Sequence, residues 1–403
     1  MSQFVVSARK YRPIHFKDVI SQPHITTTLK NAVANNQLAH AFLFCGPRGV
    51  GKTTCARILA KTINCLALTK EQEACNVCVH CVSFQTNGSM NVYELDAASN
   101  NSVEDIRELV EQVRYAPQVG KFKIYIIDEV HMLSNAAFNA FLKTLEEPPS
   151  YAIFILATTE RNKILPTIVS RCQIFNFNRI QLKDMVSQLT AIAIQEAITY
   201  EESALQLIAQ KAEGAMRDAL SMFDLINTSV GPNGKITYAI ACSYLQVLDQ
   251  AVYFTCTEAI LKGDIAAALA LYDTYWRTGC NGQHFVIGLG EHFRNLLVCK
   301  DAATIPLLEV TDNLRPLYAD YAARCSFTFL LHSLQLVNKC EVTYKASQNQ
   351  RLHVELLLIE LVSQQLSVAP SIKHETAIIP TLAGLKASLT PHETVKEVTL
   401  KKK

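Results

Sequence analysis

Short apolar runs at residues 41–45, 92–95, 123–127 and 153–157 alternate with stretches of helical period up to about residue 178. A run of four or five apolar residues suits a strand buried on both faces, and helical stretches between such strands are the crossovers that parallel pairing requires. The pattern predicts an α/β fold, a parallel sheet with helices on both faces, over 1–178. Past residue 178 the strand signals stop. Leu182, Val186, Leu189 and Ile192 recur at helical spacing, and 202–212 and 215–227 continue the theme, parted by Gly214. A small helical domain over 179–244 is expected. Amphipathic stretches at 250–262, 284–300, 328–344 and 352–366 predict a third, all-helical domain over 245–367. Residues 368–403 carry Pro370, Pro380 and Pro391, end in three lysines and show little apolar periodicity, so they read as a flexible tail. The chain shows no internal repeat.

Length and composition fit this division. The 403 residues are 49% hydrophobic and 18% charged, enough for sizeable cores and unlike a disordered chain. No apolar run approaches the roughly 18 to 20 residues that span a bilayer, and residues 1–12 lack an apolar signal core. The expected location is therefore the cytoplasm, with no membrane association. A net charge of +2 says little by itself, but residues 1–61 hold nine Lys and Arg against one acid, Asp18. Such a surplus fits a region that handles phosphate, as nucleotide, nucleic acid or both, or else a solvated basic surface.

The residues that carry chemistry begin at the end of the first predicted strand. Gly46-Pro47-Arg48-Gly49-Val50-Gly51-Lys52-Thr53 lies between that strand and a helix predicted over 54–64, the setting a phosphate-binding P-loop needs. Glycines let successive amides and a helix N-terminus face phosphate oxygens. Gly46, Gly49, Val50, Gly51, Lys52, Thr53 and Thr54 are the candidate binding residues, with Lys52 on the β- and γ-phosphates and the Thr53 hydroxyl on Mg2+. The third strand runs into Asp128-Glu129. Asp128 is placed to hold Mg2+ through its water shell, and Glu129 to polarise an attacking water. Thr158-Thr159 ends the fourth strand, where a hydroxyl could sense the γ-phosphate, although Thr commonly ends strands. Arg171 in Ser170-Arg171-Cys172 is a candidate for stabilising phosphoryl transfer, or a surface ion pair.

Thirteen cysteines in a chain without a secretory signal suggest reduced thiols. Four of them cluster: Cys65, Cys75, Cys78 and Cys81, the last three at C-x2-C-x2-C spacing. Four thiolates can close a tetrahedral, structural Zn2+ site, with His80 as an alternative ligand. An excursion this small has no core of its own, so the metal would hold it folded.

Taken together, these features resemble the γ/τ subunits of the bacterial DNA polymerase III clamp loader, a family of AAA+ ATPases. The resemblance rests on Ala8-Arg9-Lys10-Tyr11-Arg12-Pro13, the P-loop, the four-cysteine insert, Leu95-Asp96-Ala97-Ala98-Ser99, Asp128-Glu129-Val130-His131, Leu145-Glu146-Glu147-Pro148-Pro149, Ser170-Arg171-Cys172 and Arg217-Asp218-Ala219-Leu220. These motifs cover about residues 8 to 220, and Ser21-Gln22 stands where Gly-Gln is common in the family. The resemblance implies an ATP site shared between subunits. Ala8, Arg9, Tyr11, Arg12 and Pro13 would lie on its adenine side, Thr159 would be sensor 1, Arg217 the sensor 2 arginine and Arg171 a finger reaching the neighbouring subunit's ATP. It also implies a lid, a helical collar, and a pentamer of γ/τ copies with δ and δ′ that loads the β sliding clamp onto primer-template DNA. Helix N-termini around Ser99 to Ser102 would face DNA phosphates.

Other readings share parts of this pattern. A helicase loader or branch-migration motor has the P-loop and Asp-Glu, but neither the four-cysteine insert nor Ser-Arg-Cys in this arrangement. A non-catalytic δ′-type scaffold lacks a working P-loop, whereas Lys52, Thr53, Asp128 and Glu129 are intact here. A nucleotide kinase does not call for two all-helical domains, and a zinc-dependent transcription factor would need a recognition helix after its zinc ligands.

Overall fold

The computed structural model describes residues 5–368 apart from 87–88, 232–233, 246–249, 278, 280, 309 and 311–313. The tail expected beyond residue 368 lies outside the described residues. Five parallel strands form the main sheet: β1 (Ala41–Cys45), β2 (Val92–Asp96), β3 (Lys123–Asp128), β4 (Ala152–Thr158) and β5 (Gln173–Asn176), in the order β2-β3-β4-β1-β5. Side chains alternate between the two faces. Phe42, Phe44, Ile124, Ile126 and Ile155 pack on one side with the helix Lys52–Ile63. Leu43, Tyr125, Ile127, Phe154 and Leu156 pack on the other with the helices Val103–Val113 and Asn135–Glu146. Burial on both faces is why β1, β3 and β4 read as continuous apolar runs.

The register brings chemistry to one edge. Cys45 pairs with Thr158 and Asp96 with Asp128, so the ends of β1, β3 and β4 share the carboxyl side of the sheet. The loop after β1 and the acids after β3 are thereby made neighbours although some 75 residues separate Thr53 from Asp128.

The structure adds two things to the sequence reading. β5, which pairs with β1, was not expected. Nor is the second region wholly helical: β6 (Thr199–Tyr200) pairs in parallel with β7 (Lys235–Ile236). Around that pair stand the helices Leu182–Gln195, Glu202–Lys211, Met216–Val230 and Tyr238–Tyr244, whose apolar faces form one core. Among the described residues six α-helices follow: Gln250–Lys262, Ile265–Arg277, Gly282–Val298, Arg315–Arg324, Phe327–Tyr344 and Gln350–Val368. They enclose a separate core rich in rings, among them Tyr253, Phe254, Tyr272, Phe285 and Tyr318. Among the described residues no helix is long and apolar enough to cross a membrane.

Candidate functional site

β1 ends at Cys45, and the chain turns through residues 46–51 into the helix Lys52–Ile63. Three positions in the turn call for glycine, Gly49 with φ 76° among them. Gly46 has φ 152°, and a Cβ there would fall 2.6 Å from the Phe177 carbonyl oxygen. Gly51 has φ 103° and forms the helix N-cap, with no side chain bonded to the first amides. Those amides and the helix dipole therefore favour an anion. Lys52 is 6% exposed, and its ammonium donates to the carbonyls of Gly46 and Pro47, both at 2.8 Å. Burial lowers its pKa below the usual lysine value, while the carboxylates of Glu129 and Asp128 pull it back up.

The acids lie where the register puts them. Thr53 Oγ1 donates to Asp128 Oδ2 at 2.6 Å, so the hydroxyl and carboxylate expected to share Mg2+ already face each other. Glu129 has a left-handed backbone, φ 47°, which turns its side chain away from the line of β3. Its Oε2 accepts the Thr159 amide at 3.1 Å and the Thr159 hydroxyl at 3.0 Å. His131 Nδ1 stands 3.4 Å from the same carboxylate and 3.1 Å from Thr158 Oγ1. Thr159 thus holds Glu129 directly, and Thr158 is tied to His131 and to the Glu160 amide.

A cavity of about 750 Å3 opens beside these groups, within the usual size for a nucleotide-sized ligand. Ala8, Arg9, Tyr11, Arg12 and Pro13 line it, as do Gly49, Val50, Gly51, Thr53, Thr54 and, from the second region, Arg217. Gly46 does not line it and acts through its carbonyl on Lys52. Arg12 remains solvent-exposed as a residue, but partial desolvation lowers its pKa, and the like charges of Arg57 and Arg217 lower it further. Three guanidiniums converging near Asp128 make a site for a polyanion. Arg57, which pairs with Glu94 and lies over the Phe84 ring, was missed in the sequence although it sits one turn beyond Thr53.

Arg171 stands apart. Its guanidinium pairs with Glu146 at 2.6 Å and with the Thr167 carbonyl at 2.7 Å, and it does not line this chain's cavity. The helix after Ser102 differs from expectation as well: Ser102 and Asp105 close a capping box, and Glu104 and Asp105 occupy the first turn. Acids there oppose phosphate rather than attract it.

Cys65, Cys75, Cys78 and Cys81 carry no disulfide, and their sulfurs lie within 4.8 Å of one another. Cys75 and Cys81 are 4.0 Å apart, close to the roughly 3.8 Å edge of a tetrahedron with Zn–S bonds of about 2.3 Å. The amide of Cys75 donates to Cys65 Sγ and that of Cys78 to Cys75 Sγ, each at 3.3 Å, as suits thiolates that share a cation. His80 is not part of the cluster. The donor set is compatible with zinc.

Residues 21–181 match the family profile described as DNA polymerase III, delta subunit, residues 184–225 the clamp loader subunit ATPase lid domain, and residues 237–374 domain III of the gamma and tau subunits. Over 362 residues the chain is 36% identical to DNA polymerase III subunit gamma of Buchnera aphidicola, covering 88% of this chain and 96% of that one. The chain belongs to the DNA polymerase III gamma/tau family. It is also 38% identical over 358 residues to subunit tau of Bacillus subtilis, covering 88% of this chain but only 62% of that relative's length. Among solved structures, the RuvB branch migration motor of Thermotoga maritima aligns at 19% identity with a TM-score of 0.45, covering 62% of this chain and 79% of that one, a likeness too loose to carry further argument. Membership in this family of clamp loader ATPases implies nucleotide and Mg2+ binding.

Proposed function

We propose that this gamma/tau chain is an ATP-hydrolysing motor subunit of a clamp loader, which opens the β sliding clamp and places it on primer-template DNA. The observation that carries the reading is the meeting of Lys52, Thr53, Asp128 and Glu129 at one cavity, closed on its other sides by residues 8–14 and Arg217. Amides of residues 49–51 and the Lys52 ammonium bind the phosphates, and the apolar wall of Pro13, Ile14 and Leu220 takes the base. Thr53 and, through water, Asp128 would hold Mg2+, which would supply positive charge against the phosphates. Glu129 orients and polarises the attacking water once it exchanges its Thr159 partners for that water. Thr159 senses the γ-phosphate through this exchange, and Arg217 links the phosphates to the helix Met216–Val230.

Arg171, bonded to Glu146 on the chain's own surface, serves the ATP of a neighbouring copy in a ring with δ and δ′. The four thiols hold structural zinc. Nucleotide state and partner affinity are then coupled, and the coupling is reciprocal. The test is steady-state ATP hydrolysis by the chain alone, then with δ, δ′, the clamp and primed DNA added in turn. A slow rate that rises sharply only with the full set supports a loader. A rate indifferent to clamp and DNA assigns the chain to another AAA+ machine.

A further inference from the structure

The four-cysteine module borders the nucleotide cavity through Phe84 and Gln85 of its helix, and it also reaches the cavity wall through one buried carboxylate. Glu73 precedes Cys75 by two residues, and its side chain is 3% exposed. Its Oε2 accepts the Phe16 amide at 2.9 Å, its Oε1 accepts the Lys17 amide at 3.2 Å, and Lys30 Nζ lies 2.6 Å from Oε1. A carboxylate this buried is stable only where charge-assisted partners replace its water, so its position and the backbone at residues 16–17 are fixed together. A second tie lies beside it. Lys61, on the helix that begins at Lys52, donates to Asn76 Oδ1 at 2.6 Å and to the Ile14 carbonyl at 2.8 Å. Asn76 Nδ2 completes the set, 3.0 Å from His15 Nε2.

The bonds of Glu73 to the Phe16 and Lys17 amides, of Lys61 to the Ile14 carbonyl and of Asn76 to His15 end on residues 14–17, immediately after Arg12 and Pro13 in the cavity wall. The same segment is tied at its other end to the lid, where the Ser7 amide donates to Asp224 at 2.7 Å and Lys10 and Tyr11 both bond Glu196. Residues 7–17 therefore form a strap stretched across the cavity, anchored on the lid at one end and on the cysteine module at the other. Neither Glu73 nor Asn76 lines the cavity; Glu73 reaches a ligand through the strap, whereas Asn76 also touches Lys61 and Gln85, which do line it.

We propose that Glu73 is a positioning residue, which transmits the folded, metal-loaded state of the cysteine module to the base-binding end of the nucleotide cavity. The inference rests on the nucleotide and zinc readings above. It makes metal and nucleotide binding mutually reinforcing, since a coupling between two sites acts equally in both directions. It is also selective within the ligand. The strap supplies the apolar wall for the base and, toward the phosphates, only Arg12, whereas most of the phosphate contacts belong to the loop 46–51 and Lys52, which Glu73 does not touch.

The full chain, wild type and Glu73→Gln, is titrated calorimetrically with ATP and with inorganic tripolyphosphate, alongside zinc content and the thermal midpoint. Glu73→Gln keeps its zinc, binds ATP about tenfold more weakly and binds tripolyphosphate within about twofold of wild type. If that variant does not fold, Asn76→Gly removes the second tie while suiting the left-handed backbone there, φ 59°, and gives the same split between the two ligands. In the wild type, excess ATP slows extraction of zinc by a chelator, and tripolyphosphate does so less. Unchanged ATP affinity in a folded, zinc-loaded Glu73→Gln overturns the proposal, and so do equal losses for both ligands. A wild-type chain that binds neither ligand, or holds no zinc, refutes the underlying readings and takes the proposal with it.

Discussion

His292 makes the third region of the chain acid-sensitive, by an amount that follows from its surroundings. The imidazole is 1% exposed, with Nε2 3.0 Å from Thr257 Oγ1 and Nδ1 3.2 Å from Tyr318 Oη, and Phe254 stands edge-on with its centroid at 4.7 Å. Its partners are neutral hydroxyls and rings, so burial alone sets the charge state and pushes the pKa from 6.5 down to about 3. The folded chain keeps the ring neutral while the unfolded chain takes up a proton below about pH 6.5. Stability is therefore intact above that pH and is lost as pH falls toward 3. Each unit in this window corresponds to about 1.4 kcal/mol, so acidification from pH 7.5 to 5 costs about 2 kcal/mol. The chain's single tryptophan, Trp276, packs 6.1 Å from Tyr272 in the same core and reports its unfolding. Urea unfolding followed by Trp276 fluorescence should show the wild type losing about 2 kcal/mol more over this range than His292→Gln, which cannot titrate. Parallel pH profiles for the two proteins would refute the reasoning, whatever the starting stability of the variant.

Three further outcomes test the site and the segment that covers it. Lys52→Ala should weaken ATP binding about 10- to 100-fold, the loss of a charged hydrogen bond to phosphate, and unchanged binding in a titration would contradict the P-loop assignment. Arg171→Ala should cost the isolated chain less than about 1 kcal/mol, because its pair with Glu146 is partly exposed. In the assembled complex the same change should lower hydrolysis by about 1,000-fold or more with nucleotide binding spared, and an equal fall in a verified monomer would sink the shared-site reading. Ser21 has φ 56° and donates to Asp184 of the lid. Ser21→Ala loses the bond and keeps the strained backbone, whereas Ser21→Gly loses both, so the glycine variant should melt as the more stable of the two by about 1 kcal/mol.

Those residues also mark where the sequence was legible. The turn proposed as a P-loop was legible because amide geometry calls for glycine at fixed spacings before a lysine, and Gly46 and Gly51 adopt backbones that a side chain would oppose. Asp128 and Glu129 could be read because two acids at the end of a buried strand have no packing role. β5 could not, since only Phe175 of its four residues is buried and its other positions give no apolar run. The β6 and β7 pairing is two residues long, below what periodicity can register. Glu73 illustrates a harder limit. Nothing in Glu71-Gln72-Glu73 distinguishes the third residue from a solvated acid, because its role depends on amides 56 and 57 positions earlier in the chain.

The basic surplus near the N-terminus shows how a correct signal can carry two meanings. Nine cations against one acid in residues 1–61 pointed to phosphate, and Arg12, Arg48, Lys52 and Arg57 do line the cavity. Lys10, Lys30 and Lys61 serve the architecture as well, binding Glu196 in the lid, Glu73 in the cysteine module and the Ile14 carbonyl with Asn76. The acidic partners of Lys10 and Lys30 lie outside the segment, at positions 196 and 73, which is why the local count looked so one-sided. Neutralising Lys30 or Lys10 should therefore disturb the ligand's base end through the strap, whereas neutralising Lys52 acts on the phosphates directly. The same net charge, read residue by residue, divides between groups that hold the ligand and groups that hold the strap covering it.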